Sequence, residues 1–578
     1  MPRVYMGFSS TQHDSSIAIV NEEGRVEFAE ANERSLKNKR SWHTVPDAIG
    51  PLEPLLRKYA KDKEVIASLS WSDRGLKWSP LILSMSRWQQ KIPDSLMRSS
   101  SRLGVQLANR GLRQAMYKAP SSNRDMLLNL DYRLFESAGA LSSIKRGWDH
   151  HLCHAATACY SSRYDSAICV VVDGLGEGTS LAVYAYEKGE IKNLQSRPFV
   201  NTASLGLLFS QICWACAFDP IAGEEWKVMG LASYGKRDPA LYELLRPMLG
   251  VKDGQLKKAK DYAQRLTRLV LHRKTMQKPM DGANLAFTGQ LVFQEVLCEL
   301  LTEVHREFGG ENLILTGGCA LNSSCNGQII EQTPYRSLHV PMAPGDDGNS
   351  VGAALLSWKQ DHPGRQPEIF HSPFLGSELS ESSIKRVSQL GRFPATIYGE
   401  DELIETIAQE LAEGKLIGWV QGRAEFGPRA LGNRSILADP RHVGVKDKIN
   451  SLIKFREEFR PFAPSVLHEL GPSYFQGYQY TPYMDRTLKF ADLAAAPGVV
   501  HIDGAGRLQS VTKELNPLYH ALIKRFHELT DVPMLLNTSF NVMGRPIIHD
   551  VEDAIGVFLT SGMDTLVLSN HVFRKPHQ

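Results

Sequence analysis

The stretch Ser166-Ala-Ile-Cys-Val-Val-Val172 runs into Asp173-Gly-Leu-Gly-Glu-Gly178 and returns through Leu181-Ala-Val-Tyr-Ala-Tyr186. A short apolar run punctuated by Gly and followed by a second apolar run reads as buried strand, polar turn and return strand. The same pattern opens the chain: Val4 to Phe8, a turn rich in Ser, His and Asp, then Ile17 to Val20, with Gly24 before Val26 to Phe28. Two such units in successive halves predict an internally duplicated α/β nucleotide-binding fold.

Outward from these units the chain divides by composition. Residues 73–124 carry ten Lys/Arg against Asp73 and Asp94 and read as an inserted helical pair with a basic face, or as a docking surface for an anionic partner or subunit. Pro363, Pro367, Pro373 and Pro394 mark a connector over 361–395, which leaves domains at 1–360 and 396–578. In the second, Glu402 to Glu413 reads as an amphipathic helix and Leu416 to Gln421 as a strand entering a loop rich in Gly and Arg.

The whole chain of 578 residues is 42% apolar and 22% charged, which excludes a disordered or collagen-like protein. A net charge of +3, from 66 basic and 63 acidic residues, gives no footprint for a general nucleic-acid or membrane-surface binder. No apolar run approaches a membrane span, and the start, MPRVYMGFSSTQHDSS, lacks the pattern of a signal peptide. Eight Cys are too sparse for a disulfide framework, and Cys213/Cys216 have no second pair to complete a zinc site. The expectation is a cytoplasmic protein with reduced thiols.

Candidate chemistry concentrates in Asp149-His-His-Leu-Cys-His-Ala-Ala156. On a helix His150 and His154 share a face, and Asp173, at the end of a strand, can complete a metal site. Two imidazoles with carboxylates suit Fe(II), Mn(II) or Zn(II), and imidazole does not choose among them. An ordinary hydrogen-bonded helix start is the plainer alternative. Asp346 and Asp347 offer further carboxylates in a tight turn before a helix of small residues. Glycine turns at Gly174, Gly230 and Gly317-Gly318 could cradle phosphates. Gly230-Leu-Ala-Ser-Tyr-Gly-Lys236 has P-loop spacing but carries Arg237 where a Ser or Thr would hold Mg, so the P-loop is rejected. Arg429, Lys454 and Arg460 stand beside Gly and Pro in loops and could converge on a small dianion. RNA is an alternative ligand for such aromatic-interleaved cations, disfavoured by the near-neutral total charge.

Together these segments resemble the NodU/CmcH-type O-carbamoyltransferases. The likeness rests on Gly7 to Ser16, Glu33-Arg34…Lys39, the histidine motif and Glu225-Trp-Lys-Val-Met-Gly-Leu-Ala232. It continues through Thr316-Gly-Gly-Cys-Ala-Leu-Asn322, Gly345-Asp346, Glu425 to Ile436, Lys454 to Pro464, Gly504 to Val511 and Leu536 to Asn541. The family's usual Glu-Arg-x-x-Arg-x-Lys-His run stands here as Glu33-Arg-Ser-Leu-Lys37-Asn-Lys39-Arg40.

The resemblance implies a Kae1-like N-terminal domain of actin/Hsp70 type and a C-terminal YrdC-like α/β domain. It implies Mg-ATP and carbamoyl phosphate as substrates, a carbamoyladenylate intermediate and transfer to a hydroxyl of a specialised small molecule at an Fe(II)-type metal. By motif match His150, His154, Asp173 and Asp346 would hold the metal. Arg429, Lys454, Arg460 and Arg507, with Asn537 and Ser539, would contact carbamoyl phosphate or the adenylate. Lys39 would reach toward the transferred group, and Gly174, Lys227, Gly230, Gly317, Gly318 and Asn322 would serve a nucleotide in the first domain. His13, beside Asp14, is the candidate base for the acceptor alcohol, with a hydrogen-bonded turn histidine as the alternative. Rival functions are a tRNA or protein-thiol carbamoylase, for which no acylphosphatase-like or zinc-finger segment precedes the histidine motif, and an actin/Hsp70-like nucleotide-gated scaffold. The acceptor and any homo-oligomer are left open.

Overall fold

A computed structural model describes residues 1–10, 13–41, 47, 51–75, 126–134, 143–195, 201–390, 394–457 and 459–575. From residue 76 on, the expected basic insertion at 73–124 lies outside the described residues. The chain forms two compact units: Met1–Leu36 with Arg40–Phe370, and Lys37–Lys39 with His371–Gln578.

The first unit is built on two five-stranded sheets of the same plan. In one, Val26–Ala31, Ser16–Val20 and Arg3–Ser9 run antiparallel, and Glu64–Leu69 and Ile144–Gly147 continue in parallel. In the other, Glu190–Asn193, Leu181–Glu187 and Ser166–Val172 are antiparallel, and Asn312–Thr316 and Ser337–His339 are parallel. Ala167 to Val172 are all buried, as an unbroken apolar run requires when both faces of a strand are covered.

Two helices fix the turns at the ends of these sheets. His150–Tyr160 starts at Asp149, whose carboxylate accepts from the Leu152 amide at 2.9 Å. Asn349–Asp361 packs against it so closely that a Cβ on Gly352 would stand 2.0 Å from the Cys153 carbonyl oxygen. The Thr157 hydroxyl adds a tie, donating to the Gly348 carbonyl at 2.7 Å. The small-residue sequence Asn-Ser-Val-Gly-Ala-Ala thus buys a near backbone-to-backbone contact, and that contact sets the spacing of whatever the two helix starts carry.

The second unit holds an eight-stranded mixed sheet. Its order is Thr396–Ile397, His571–Arg574, Thr565–Leu568, Ile417–Val420, Arg434–Ala438, Met534–Ser539, Ala463–Leu467 and Gln509–Val511. Helices Glu400–Ala412 and Pro517–Thr530 pack together, burying Leu403, Ile407, Leu411, Leu522, Ile523 and Phe526. The Gly422–Arg434 loop is pinned from inside: one Glu425 carboxylate oxygen accepts from the amides of Leu431, Asn433 and Arg434. The fully buried Arg434 guanidinium donates to the carbonyls of Gln421, Gly422 and Ser377. Among the described residues no helix is long and apolar enough to cross a membrane.

Candidate metal centre and anion pocket

In the first unit the helix spacing does what the sequence predicts. His150 and His154 lie on one face, with ring centroids 4.9 Å apart, and both are buried. Asp173 comes from the end of the Ser166–Val172 strand and Asp346 from the turn that opens the Asn349–Asp361 helix. One ligand atom from each of the four lies within 4.8 Å of all the others. His150 Nε2 stands 3.4 Å from Asp173 and 3.6 Å from Asp346, and His154 Nε2 stands 3.5 Å from Asp346.

Burial opposes charge on His150, Asp173 and Asp346, yet these three ionise against one another. The charges of Asp346 and Asp173 overcome the desolvation of His150 and raise it to about 9. In return His150 and His13 hold Asp346 at about 2 against its own burial, and His150, His154 and His151 keep Asp173 well below the usual carboxylate range. Neither ring nitrogen of the buried His154 has a hydrogen-bond partner. A buried imidazole with both nitrogens unsatisfied, facing two ionised carboxylates, is a donor set that fits a divalent metal ion.

Asp347 takes no part in this group. Its carboxyl accepts from the Gly348 amide at 3.1 Å, and burial with Asp14, Glu33 and Asp346 nearby pushes it well above the carboxylate range. His13 sits at the cluster's edge, its Nδ1 2.7 Å from Asp14 and 3.9 Å from Asp346. Arg40 Nη2 is 3.3 and 3.2 Å from the two ring nitrogens, which point apart, so the guanidinium lies off the ring plane and over its face. Arg40 also draws Asp14 down against its burial, a pairing the sequence reading missed because Arg40 replaces the His of the family run.

The glycine turns of this unit are spent internally. Gly230 lies inside the Glu225–Ala232 helix, where its amide serves the helix ladder, which corrects its reading as a phosphate turn. The Gly318 amide donates to Asp173 at 3.0 Å, and Gly317 donates to the Pro344 carbonyl. Asn322 caps the helix turn at Cys325 and exchanges amide hydrogen bonds with Gln290. Lys227 pairs with Glu224 at 2.7 Å. Gly174 faces open space.

In the second unit the expected cations do come together. Lys454 is buried, its ammonium donating to the Ser539 carbonyl and to the Asn541 carbonyl and side-chain oxygen, at 3.0 and 2.7 Å for the latter two. Burial and the like charges of Arg456, Arg460 and Lys39 push it well below the usual lysine range. Lys39 groups with this unit. Burial and the charges of Arg429 and Arg456 likewise depress Arg507, while burial alone brings Arg429 to about 10.

Arg456, brought to about 9 by burial and then Arg460, is the member that sequence reasoning passed over. Its Nη2 and the Nε of Arg507 are buried without a partner, as is the Asn537 side-chain oxygen. Arg429, Lys454, Arg456 and Arg507 form no ion pair among the described residues; Arg460 pairs with Glu457 at 3.2 Å. Lys454 is buried and Arg429, Arg456 and Arg507 are half-buried, so gathering their like charges is costly, and an anionic ligand is the kind of group that could offset it.

Geometry thus defines a two-unit α/β protein with a buried His/Asp cluster in one half and a gathering of cations in the other. Sequence comparison gives its kind: residues 5–355 match the carbamoyltransferase N-terminus and residues 408–575 the carbamoyltransferase C-terminus. The chain belongs to the carbamoyltransferase family and is a carbamoyltransferase enzyme. It is 34% identical to nodulation protein NolO of Bradyrhizobium diazoefficiens over 74% of this chain and 79% of that one. It is also 34% identical to NolNO of Sinorhizobium fredii, over 74% and 63% respectively. Nodulation protein U of Sinorhizobium fredii is 35% identical over 41% of each chain. Among solved structures, full-length HypF in its phosphate- and nucleotide-bound form aligns at 13% identity and a TM-score of 0.32, over 63% of this chain and 56% of that one.

Proposed function

We propose that the protein is an ATP-dependent O-carbamoyltransferase in which the second unit makes a carbamoyladenylate and the first delivers its carbamoyl group to an alcohol. The observation that carries this reading is the group of Arg429, Lys454, Arg456 and Arg507 in the family's C-terminal part, none of which forms an ion pair among the described residues. Carbamoyl phosphate and water give carbamate and phosphate; carbamate oxygen then attacks the α-phosphorus of Mg-ATP and expels pyrophosphate. The guanidinium groups bind the phosphate oxygens and stabilise negative charge that develops on them, while Lys454, its ammonium hydrogen-bonded to Ser539 and Asn541, adds positive charge behind them. On this reading the second unit is the YrdC-like domain and the first the Kae1-like domain.

In the first unit His150, His154, Asp173 and Asp346 would hold a divalent metal, Fe(II) by family resemblance, which supplies Lewis acidity toward the carbamoyl oxygen. His13, oriented through Nδ1 by Asp14, takes the acceptor hydroxyl proton at Nε2. The alcohol oxygen bonds to the carbamoyl carbon and AMP leaves. The acceptor is a hydroxylated specialised small molecule.

The test uses full-length protein with ATP and carbamoyl phosphate. Pyrophosphate and an AMP-linked carbamoyl species should form without acceptor, and turnover should depend on carbamoyl phosphate. His154→Ala should retain this half-reaction and lose transfer. Absence of both products from folded wild-type protein rejects the mechanism, and turnover indifferent to carbamoyl phosphate favours a nucleotide-gated scaffold instead.

A further inference from the structure

Behind His150 stands a residue that the histidine and aspartate motifs do not include. Asn349 is fully buried, and its side-chain amide faces the far ring nitrogen of His150: Asn349 Nδ2 lies 3.4 Å from His150 Nδ1. The amide's own oxygen is buried without a partner. A donor at Nδ1 would need the ring proton to sit on Nε2, the nitrogen turned toward Asp173 and Asp346. That leaves two conflicts: Nε2 would be blocked as a ligand, and a buried carbonyl oxygen would have no donor.

Half a turn about the Cβ–Cγ bond removes both, because the oxygen and nitrogen of an Asn amide exchange places. Oδ1 then accepts from Nδ1–H, and Nε2 is the nitrogen that gives up its proton and offers a lone pair to an ion held beside the carboxylates. We infer that Asn349 is a positioning residue that fixes the tautomer and ring orientation of His150 through an Oδ1···H–Nδ1 hydrogen bond. The inference rests on the metal-centre reading above.

The fold holds this amide in place by more than side-chain packing. Asn349 opens its helix, and its own backbone amide donates to the carbonyl of Asp346, so one turn delivers both a ligand and the group that orients another. The contact between Gly352 and the Cys153 carbonyl sets the distance from this turn to the His150 helix. Elsewhere His150 is held by its backbone amide, which donates to Glu177, and by the Trp71 ring at 5.3 Å. Neither of these reaches Nδ1 with an acceptor, so the tautomer is left to Asn349. Partners of this kind behind a histidine ligand commonly carry 10–100-fold (order of magnitude, roughly) in metal affinity.

The experiment titrates chelator-stripped full-length protein with Co(II), reading the dissociation constant and the visible absorption of the bound ion. Asn349→Leu, close in volume and without an acceptor, should bind Co(II) about 10–100-fold more weakly. Asn349→Asp, which keeps the acceptor and loses the donor, should bind as tightly as wild type or tighter. Wild-type affinity in Asn349→Leu overturns the inference, as does equal weakening in Asn349→Asp. If Asn349→Leu does not fold, the Asp variant decides alone: retained affinity with the wild-type spectrum supports the role, and tenfold loss ends it. Failure of the wild-type protein to take up Co(II) would instead overturn the metal centre itself.

Discussion

Arg507 is a half-buried guanidinium set among like charges, with its Nε buried and unpaired. Its place in the apo protein is unfavourable, so its removal separates function from stability. Arg507→Met should raise the melting temperature by a few degrees and lower kcat/KM for carbamoyl phosphate by about 100-fold, a loss typical of one well-aimed charged donor. Thermal unfolding and initial rates check the two halves, and a destabilised variant would refute the argument. His150 makes a prediction of opposite electrostatic sense. Its pKa is raised from about 6.5 to about 9 in the metal-free protein, by Asp346 and Asp173 acting against burial. A raised cationic group stabilises the fold fully below the unfolded value, and that contribution is lost as pH climbs through 9. A metal ion must displace the same proton. Co(II) affinity should therefore rise about tenfold per pH unit between pH 7 and 9 and level off above, as competition with a chelator will show. An affinity flat across that range would mean that His150 is not a ligand.

At the scale of elements, the close helix pair is the device on which the metal centre depends. In Gly352→Ala the new Cβ would meet the Cys153 carbonyl oxygen at 2.0 Å, so the helices must part. Overpacking of this sort costs about 1–3 kcal/mol, and here it also draws Asp346 and Asn349 away from His150. Denaturant unfolding should show the loss in stability, with weaker Co(II) binding beside it; a variant of wild-type stability and affinity would show that the contact is not restrictive. This element level is also where the sequence was most and least readable. The i, i+4 histidines and the two strand–turn–strand units were legible because each rests on local periodicity and turn chemistry. Ile144–Gly147 and Ser337–His339 were not, being short strands that exist only through parallel pairing with distant partners. Gly230 misled for a related reason: glycine signals a turn locally, but tertiary packing accepted it in a helix. Arg456 follows Phe455, whose φ of 48° turns the chain sharply after Lys454, and no spacing rule shows that such a turn brings both cations inward.

For the whole molecule, each half carries a separate core, as the expected division into domains implies. In the first unit one cluster gathers Val4, Phe8, Ile17, Phe28, Leu56 and Leu130. In the second a continuous core runs from Leu403 through Trp419, Leu437 and Phe526 to Phe573. Composition and charge are uniform enough along the chain that only the prolines of 361–395 hinted at a division, which the packing places after Phe370. Units with their own cores unfold as separate cooperative steps, and a ligand raises the step of the unit that binds it. Calorimetry of the full chain should thus resolve two transitions. Co(II) at about 100 times its dissociation constant should add about 2.7 kcal/mol to one of them. ATP with carbamoyl phosphate should move the other, and Arg507→Met, which lies in the second unit, identifies which is which by its own shift. Should Co(II) and the nucleotide mixture raise the same transition in Arg507→Met and wild-type protein alike, the two sites would share one cooperative unit and the division of labour proposed between the halves would fall.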